Sequence, residues 1–169
     1  MNKHTNICLN VILDHSRHLL NRLHDNSIDV CFSYLATNEI SYKCIPYKTD
    51  EIIFVTNSQN IQFSNGIHNG EILHLPIIYS KFMPKSGFDW IHDIFPPHYV
   101  FQFTISVIKE IIPFLLQYPY YAFLPRKLIE KELKDGLLIE IPLLDYHIPP
   151  LQSYIIMKSN AKYNPLDYF

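Results

Sequence analysis

Tyr121-Ala122-Phe123-Leu124-Pro125-Arg126-Lys127, followed by Leu133-Lys134-Asp135-Gly136-Leu137-Leu138, decides how the rest of the chain is read. The first part is an unbroken apolar and aromatic run, as in a strand buried on both faces. Pro125 then opens a helix, at a position where a missing N–H costs least. Gly136 stops that helix, because glycine adopts the left-handed conformation that closes a helix end. A second apolar run begins at Leu137. Strand, helix, stop and strand within 18 residues is the grammar of an α/β fold.

Working outward, the same grammar repeats. Residues 7–13 read as a strand. Ser16 reads as an N-cap, and Leu19, Leu20 and Leu23 set an apolar stripe on a helix over 17–24. Residues 28–34 read as a short strand, apolar as parallel strands are, with further strands over 42–46 and 51–56. The polar stretch 57–70 carries Gly66 and Gly70 and reads as a loop between subdomains. Strands follow over 76–80 and 99–103, and a short helix over 87–95 holds the only Trp. Thr104 reads as the cap of a helix that Pro113 kinks or ends. The last strands cover 137–141 and 151–157, separated by the Pro-bearing connection 142–150.

The expected fold is therefore α/β: two Rossmann-like subdomains of parallel strands with right-handed crossovers, joined by crossing strands around a cleft. Subdomain one takes residues 1–58 and 150–169. Subdomain two takes 59–149.

Bulk composition narrows the function. The chain has 169 residues, 48% hydrophobic and 18% charged, which suits a folded core and argues against disorder. Only 4 glycines are present, which limits phosphate-cradling loops. A net charge of −2 offers no general footprint for nucleic acid, leaving only Lys109 or Arg126-Lys127 as a local basic patch. Cys8, Cys31 and Cys44 form no CxxC pair and read as reduced, mostly buried thiols. No apolar run approaches the ~18 residues that span a bilayer, so no membrane partner is expected.

The order of these blocks resembles the effector-binding domain of LysR-type transcriptional regulators, a fold of the periplasmic-binding-protein type II kind. The resemblance runs through Leu19-Leu20-Asn21-Arg22-Leu23, Ile28-Asp29-Val30-Cys31-Phe32, Asp50 to Val55 and Leu75-Pro76-Ile77-Ile78. Its most specific block is Phe123-Leu124-Pro125 through Gly136-Leu137-Leu138. It implies a cytoplasmic protein that binds a small-molecule effector and associates with copies of itself. Against the family pattern, the winged helix-turn-helix and the first strand and helix of the effector domain are not in this sequence, so subdomain one is expected to be incomplete and the weaker half. The chain also ends where a final helix would start. Tyr118-Pro119-Tyr120 stands where the family has Gly-x-Gly.

Candidate ligand-binding residues lie at strand ends: Ser33 and Tyr34, Ser80 and Lys81, Phe103 and Thr104, and Pro125. Hydroxyls and helix N-terminal N–H groups there suit a carboxylate or another anion; as plain structure, Ser80 and Thr104 are turn and cap residues. His15 and His18, spaced i, i+3, have no third ligand placed beside them and read as a solvated helix face, so no metal is expected. Asp145 and His147 read as turn chemistry. No nucleophile or cofactor motif is present, so neither an enzyme nor a cofactor is expected. The leading function is the effector-sensing domain of a LysR-type regulator, taking a small anionic metabolite in the cleft and not binding DNA specifically by itself. The alternatives are a stand-alone cytosolic solute-binding protein of the same fold, and an enzyme using the cleft.

Overall fold

The computed structural model describes residues 10–80 and 89–160. The chain forms two compact units, Met1–Lys48 with Ser153–Phe169, and Thr49–Gln152.

In the first unit, helix α1 (Ser16–His24) buries Leu19 and Leu23, one turn apart, against Cys31 and Ile156. The Asp14 carboxylate accepts the His15 N–H at 2.8 Å and lies 3.0 Å from His18 Nδ1. Ser16, the expected cap, is instead the first helical residue, and its Oγ accepts the Tyr34 N–H at 3.4 Å. The helix closes with Asn26 at φ 63, while the Ser27 N–H reaches Arg22 O and the Asn26 N–H reaches Leu23 O. Asparagine tolerates that left-handed position better than most side chains. Strand β1 (Val30–Ser33) runs antiparallel to β8 (Leu151–Lys158), which lies between β1 and β2 (Tyr42–Asp50).

The expectation of a parallel β1 buried on both faces is corrected. Cys31 and Ser33 are buried, while Phe32 is 40% exposed and packs edge-on against Tyr47. Of the strand expected over 7–13, residues 7–9 lie outside the described residues. Residues 10–13 are not strand, and Val11 and Leu13 are exposed.

The second unit holds a five-stranded sheet in the order β5-β4-β6-β3-β7. Its strands are β3 (Ile52–Asn57), β4 (Ile77–Ser80), β5 (Phe103–Ile105), β6 (Tyr121–Pro125) and β7 (Leu138–Glu140). Strand β4 is parallel to β5 and β6, whereas β3 is antiparallel to β6 and β7. The sheet is thus mixed rather than wholly parallel. Strand β3, which the sequence placed with the first set, is bonded on both sides within the second.

Period-two alternation explains the aromatic composition. Ile53, Val55, Ala122 and Leu124 face one side, with Ile111 and Leu115 of helix α4 (Ile111–Gln117) and Ile129. Phe54, Tyr121 and Phe123 face the other, where Phe123 meets Trp90 at 5.2 Å and Phe95 at 6.2 Å, the two residues that flank helix α3 (Ile91–Ile94). Both faces of β3 and β6 are buried, which is why their sequences read as continuous apolar runs.

Several boundaries move. Tyr99 and Phe101, expected within a strand over 99–103, instead precede the observed one: Phe101 stacks on Tyr79 at 4.5 Å, and β5 starts only at Phe103. Thr104 is a strand residue opposite Tyr79, not a helix cap. The following helical segment opens with a 3₁₀ turn, Ile108–Glu110, and Pro113 falls in the first turn of α4, where no intrahelical N–H is needed. Pro125 ends β6 and caps a 3₁₀ turn, Arg126–Ile129, that leads into the next helix, Glu130–Lys134. Gly136 closes that helix at φ 67; its N–H reaches Leu133 O, and the Leu137 N–H reaches Glu132 O.

The stretch 57–70 lies within the second unit and is pinned there. Asn57 Oδ1 accepts the N–H groups of Gln59 and Asn60, both at 3.1 Å. The Ile67 N–H reaches Pro142 O at 2.9 Å, and the Leu144 N–H reaches Ile67 O at 3.0 Å. His68 Nδ1 lies 2.8 Å from Asp145 Oδ1, and Asp145 Oδ2 accepts the Asn69 N–H at the start of helix α2 (Asn69–Ile72). Asp145 is thus more than turn chemistry.

The hydrogen bond to Asp145 holds the His68 imidazole above its ordinary pKa of 6.5, and the same bond holds Asp145 below 3.8. A raised histidine stabilises below its unfolded value and stops doing so as pH rises through its folded one; a depressed carboxylate stabilises above its unfolded value and loses the effect as pH falls through its folded one. The pair therefore contributes fully between those ordinary values and fades on either side. An NMR titration of His68 is expected to have a midpoint above 6.5, moving back toward it in Asp145→Asn. Equal midpoints in both proteins would show that the pair does not form in solution.

Candidate functional site

Ser80 ends β4, with 1% of its surface exposed, and its register partner on β5 is Ile105. Phe103 and Thr104 stand opposite Ile78 and Tyr79. The parallel register of β4 with β6, Ile77 to Tyr121 and Ile78 to Ala122, carries the carboxyl end of β6, and hence Pro125, to the same sheet edge. Three strands of one direction thus bring the ends of β4 at Ser80, β5 at Ile105 and β6 at Pro125 to one carboxyl edge, with Thr104 one residue and Phe103 two residues short of it. In open α/β sheets that edge is where ligands bind, because the strands end there and loops and helix starts face the solute.

Thr104 is exposed, and Phe103 is 42% exposed with its ring 4.8 Å from Tyr120. Ser33 and Tyr34 belong to the first unit. Ser33 is 2% exposed, donates to Leu35 O at 3.0 Å and accepts the Leu35 N–H at 2.9 Å, so its hydroxyl serves a local turn. Lys81 lies outside the described residues.

One residue at this edge escaped sequence reading. Ser106 directly follows β5 and precedes the turn at Ile108; placing the end of that strand correctly would have found it. Arg126 follows β6. Its Nε donates to Glu51 Oε2 at 2.6 Å and its Nη2 to Glu140 Oε2 at 2.5 Å. These bonds, Glu140 foremost, push the guanidinium pKa above its usual value. Lys127 Nζ donates to Thr49 O at 3.0 Å, and the Lys127 N–H to Asp50 Oδ1 at 3.5 Å. The candidate basic patch at Arg126-Lys127 is therefore occupied by the protein's own acceptors. Their sequence separations of 75 and 14 residues match no local spacing rule.

The edge offers hydroxyls, a proline and aromatic rings, which bind by hydrogen bonding and apolar contact. Among the described residues, no group of three or more His, Cys, Asp and Glu is placed to hold a metal. Cys31 and Cys44 are free, and burial pushes the Cys31 thiol up to about 11, keeping it protonated and weakly nucleophilic. No helix among the described residues is long and apolar enough to cross a membrane.

The family model for the LysR substrate-binding domain matches residues 1–166. The chain belongs to that family, with the periplasmic-binding-protein-like α/β fold its sequence implied. No curated protein matches it. Among solved structures, the apo regulatory domain of HypT from Salmonella typhimurium is 16% identical with a TM-score of 0.73, over 96% of this chain and 79% of that one. The Corynebacterium glutamicum OxyR C206 mutant is 19% identical at 0.66, over 88% and 48%. CrgA, a LysR-type transcriptional regulator from Neisseria meningitidis, is 12% identical at 0.64, over 83% and 49%. This chain thus spans about half the length of the OxyR and CrgA chains.

Proposed function

We propose that the chain is the effector-sensing domain of a LysR-type transcriptional regulator, binding a small anionic metabolite in the cleft that the family resemblance implies. The observation that supports this reading is that Ser80 and Pro125 end parallel strands at one carboxyl edge, with Thr104 one residue short of the end of the neighbouring β5. Ser33, Tyr34 and Lys81 remain candidates from the sequence. The domain acts in the cytoplasm, associates with like domains and is not an enzyme. It does not recognise DNA on its own: net charge is −2, and Arg126 and Lys127 are already bonded within the protein.

A thermal-shift screen of small organic acids, with the full chain, identifies the effector. Thr104→Val then tests the site. Valine keeps the β-branched shape that suits a strand and removes only the hydroxyl, so stability changes by under about 0.5 kcal/mol. Loss of one hydrogen bond weakens effector binding by about 1 kcal/mol, roughly fivefold. Unchanged affinity would place the pocket elsewhere. A site-selective mobility shift with DNA would overturn the sensing-only reading.

A further inference from the structure

The stretch 57–70 carries two Asn-Gly pairs, Asn65-Gly66 and Asn69-Gly70. Asparagine before glycine readily loses its side-chain amide, because glycine has no Cβ to keep the next backbone nitrogen away from the asparagine Cγ. The fold treats the two pairs differently. Asn65 is exposed at the end of a turn, beside exposed Ser64. The Gly66 N–H donates to Phe63 O at 2.9 Å, the Ser64 N–H donates to Ile61 O at 3.2 Å, and Ile61 is 69% exposed. Turn bonds of this kind open readily, since little buried surface is lost with them.

Asn69 is the first residue of helix α2. A helical backbone holds the next nitrogen away from the side-chain amide, so ring closure there requires the helix start to unwind. The Asn69 N–H donates to Asp145 Oδ2 at 3.1 Å, and its side-chain oxygen is buried, with no hydrogen-bond partner among the described residues. Glu71 adds a second carboxylate at this helix start, its Oε2 accepting the His68 N–H at 3.0 Å. The attacking nitrogen must become anionic, so carboxylates beside it oppose the reaction.

We infer that Asn65 is a site of spontaneous modification: its side-chain amide is lost by attack of the Gly66 nitrogen, with water as the co-reactant, while the fold protects Asn69. The Gly66 nitrogen gives its proton to water and bonds to Asn65 Cγ; the Cγ–Nδ2 bond breaks, and the departing nitrogen takes up a proton and leaves as ammonia. Water then opens the succinimide at either carbonyl. Breaking the new Cγ–N bond gives aspartate. Breaking the original peptide bond gives isoaspartate, whose main chain runs through the former side chain and is one carbon longer. Either product adds one negative charge. The extra carbon enters directly before Gly66, where even a Cβ would meet Leu144 and Pro142 O. Next in the chain is Ile67, whose N–H bonds Pro142 O and whose O accepts the Leu144 N–H. Isoaspartate at 65 therefore loosens the seam between 66–67 and 142–144. None of this depends on the effector reading.

The full chain, incubated at mildly alkaline pH, is read by mass spectrometry with fragmentation that separates aspartate from isoaspartate. A gain of about 1 Da is expected at Asn65, at least roughly tenfold faster than at Asn69. In an unfolded peptide spanning 60–72 the two pairs react at comparable rates, so the ratio in the full chain measures what the fold does. Asn65→Gln removes the gain at 65, and Asn69→Gln leaves it. In the isoaspartate form, exchange of the Ile67 amide is expected to speed up about fivefold, whereas Asn65→Asp, with the same charge and a normal main chain, leaves it unchanged. Ile67 exchange that stays the same in the isoaspartate form overturns the loosened seam. An Asn65 that stays intact while the peptide reacts to completion, or an Asn69 that reacts as fast as Asn65 in the full chain, overturns the site itself.

Discussion

Replacing Leu124 with alanine is expected to lower the stability of the Thr49–Gln152 unit by about 2–5 kcal/mol. Leu124 is fully buried at the centre of the five-stranded sheet, opposite Ile53 on β3. It packs in one cluster with Ile53, Val55, Ile78, Ile111, Leu115, Ile129 and Leu138. Those neighbours come from strands and helices on several sides, so the walls of the cavity cannot collapse inward together. The cost is then the lost transfer energy plus the persistent cavity, which favours the upper part of the range. Leu137→Ala is the control. That side chain is 47% exposed, and its loss is expected to cost no more than about 0.5 kcal/mol. Urea unfolding of both variants measures the difference. A Leu124→Ala loss as small as that of the control would mean that β6 is not the middle of this core.

Gly66→Ala is expected to cost more than the same change at Gly136. Gly66 has φ 113, a conformation that side chains rarely adopt, and an added Cβ would lie 2.6 Å from Leu144 Cδ2 and 3.2 Å from Pro142 O. The Leu144 side chain is half exposed and can swing away; the backbone angle and the carbonyl cannot yield so easily. The backbone strain alone is worth about 1–3 kcal/mol. Gly136 has φ 67 and no atom within 4 Å of a built Cβ, so alanine there meets only the ordinary left-handed penalty of about 1–2 kcal/mol. Thermal or urea unfolding ranks the two. Exchange of the Ile67 amide, bonded to Pro142 O, locates the damage. Equal costs, with Ile67 still protected, would show that Gly66 is not pressed against the 142–144 segment.

Local signals were legible wherever neighbours in sequence carry the physics. The stop at Gly136 was readable because the helix end needs a positive φ within a residue or two. The α1 stripe was readable because Leu19 and Leu23 lie one turn apart. The buried run 121–124 was readable because a strand covered on both faces leaves no polar position. Strand direction was not readable. An apolar run looks the same in a parallel or an antiparallel sheet, so β3 and β1 were expected to be parallel and are not. Thr104 was misplaced for a related reason: a β-branched hydroxyl suits a strand as well as a cap, and only pairing with Tyr79 distinguishes them.

By itself, the sequence determined the α/β class, the family and most of the strands and helices, because each depends on periodicity, turn residues and order along the chain. Tertiary structure alone decided that Glu51, Arg126 and Glu140 meet, that His68 finds Asp145, and that Ser80 and Pro125 end their strands at one sheet edge. Those partners are tens of residues apart in most cases, and their side chains are common surface types. Which carboxylate an arginine reaches is fixed by strand register and by where each strand ends, and no residue encodes that register alone.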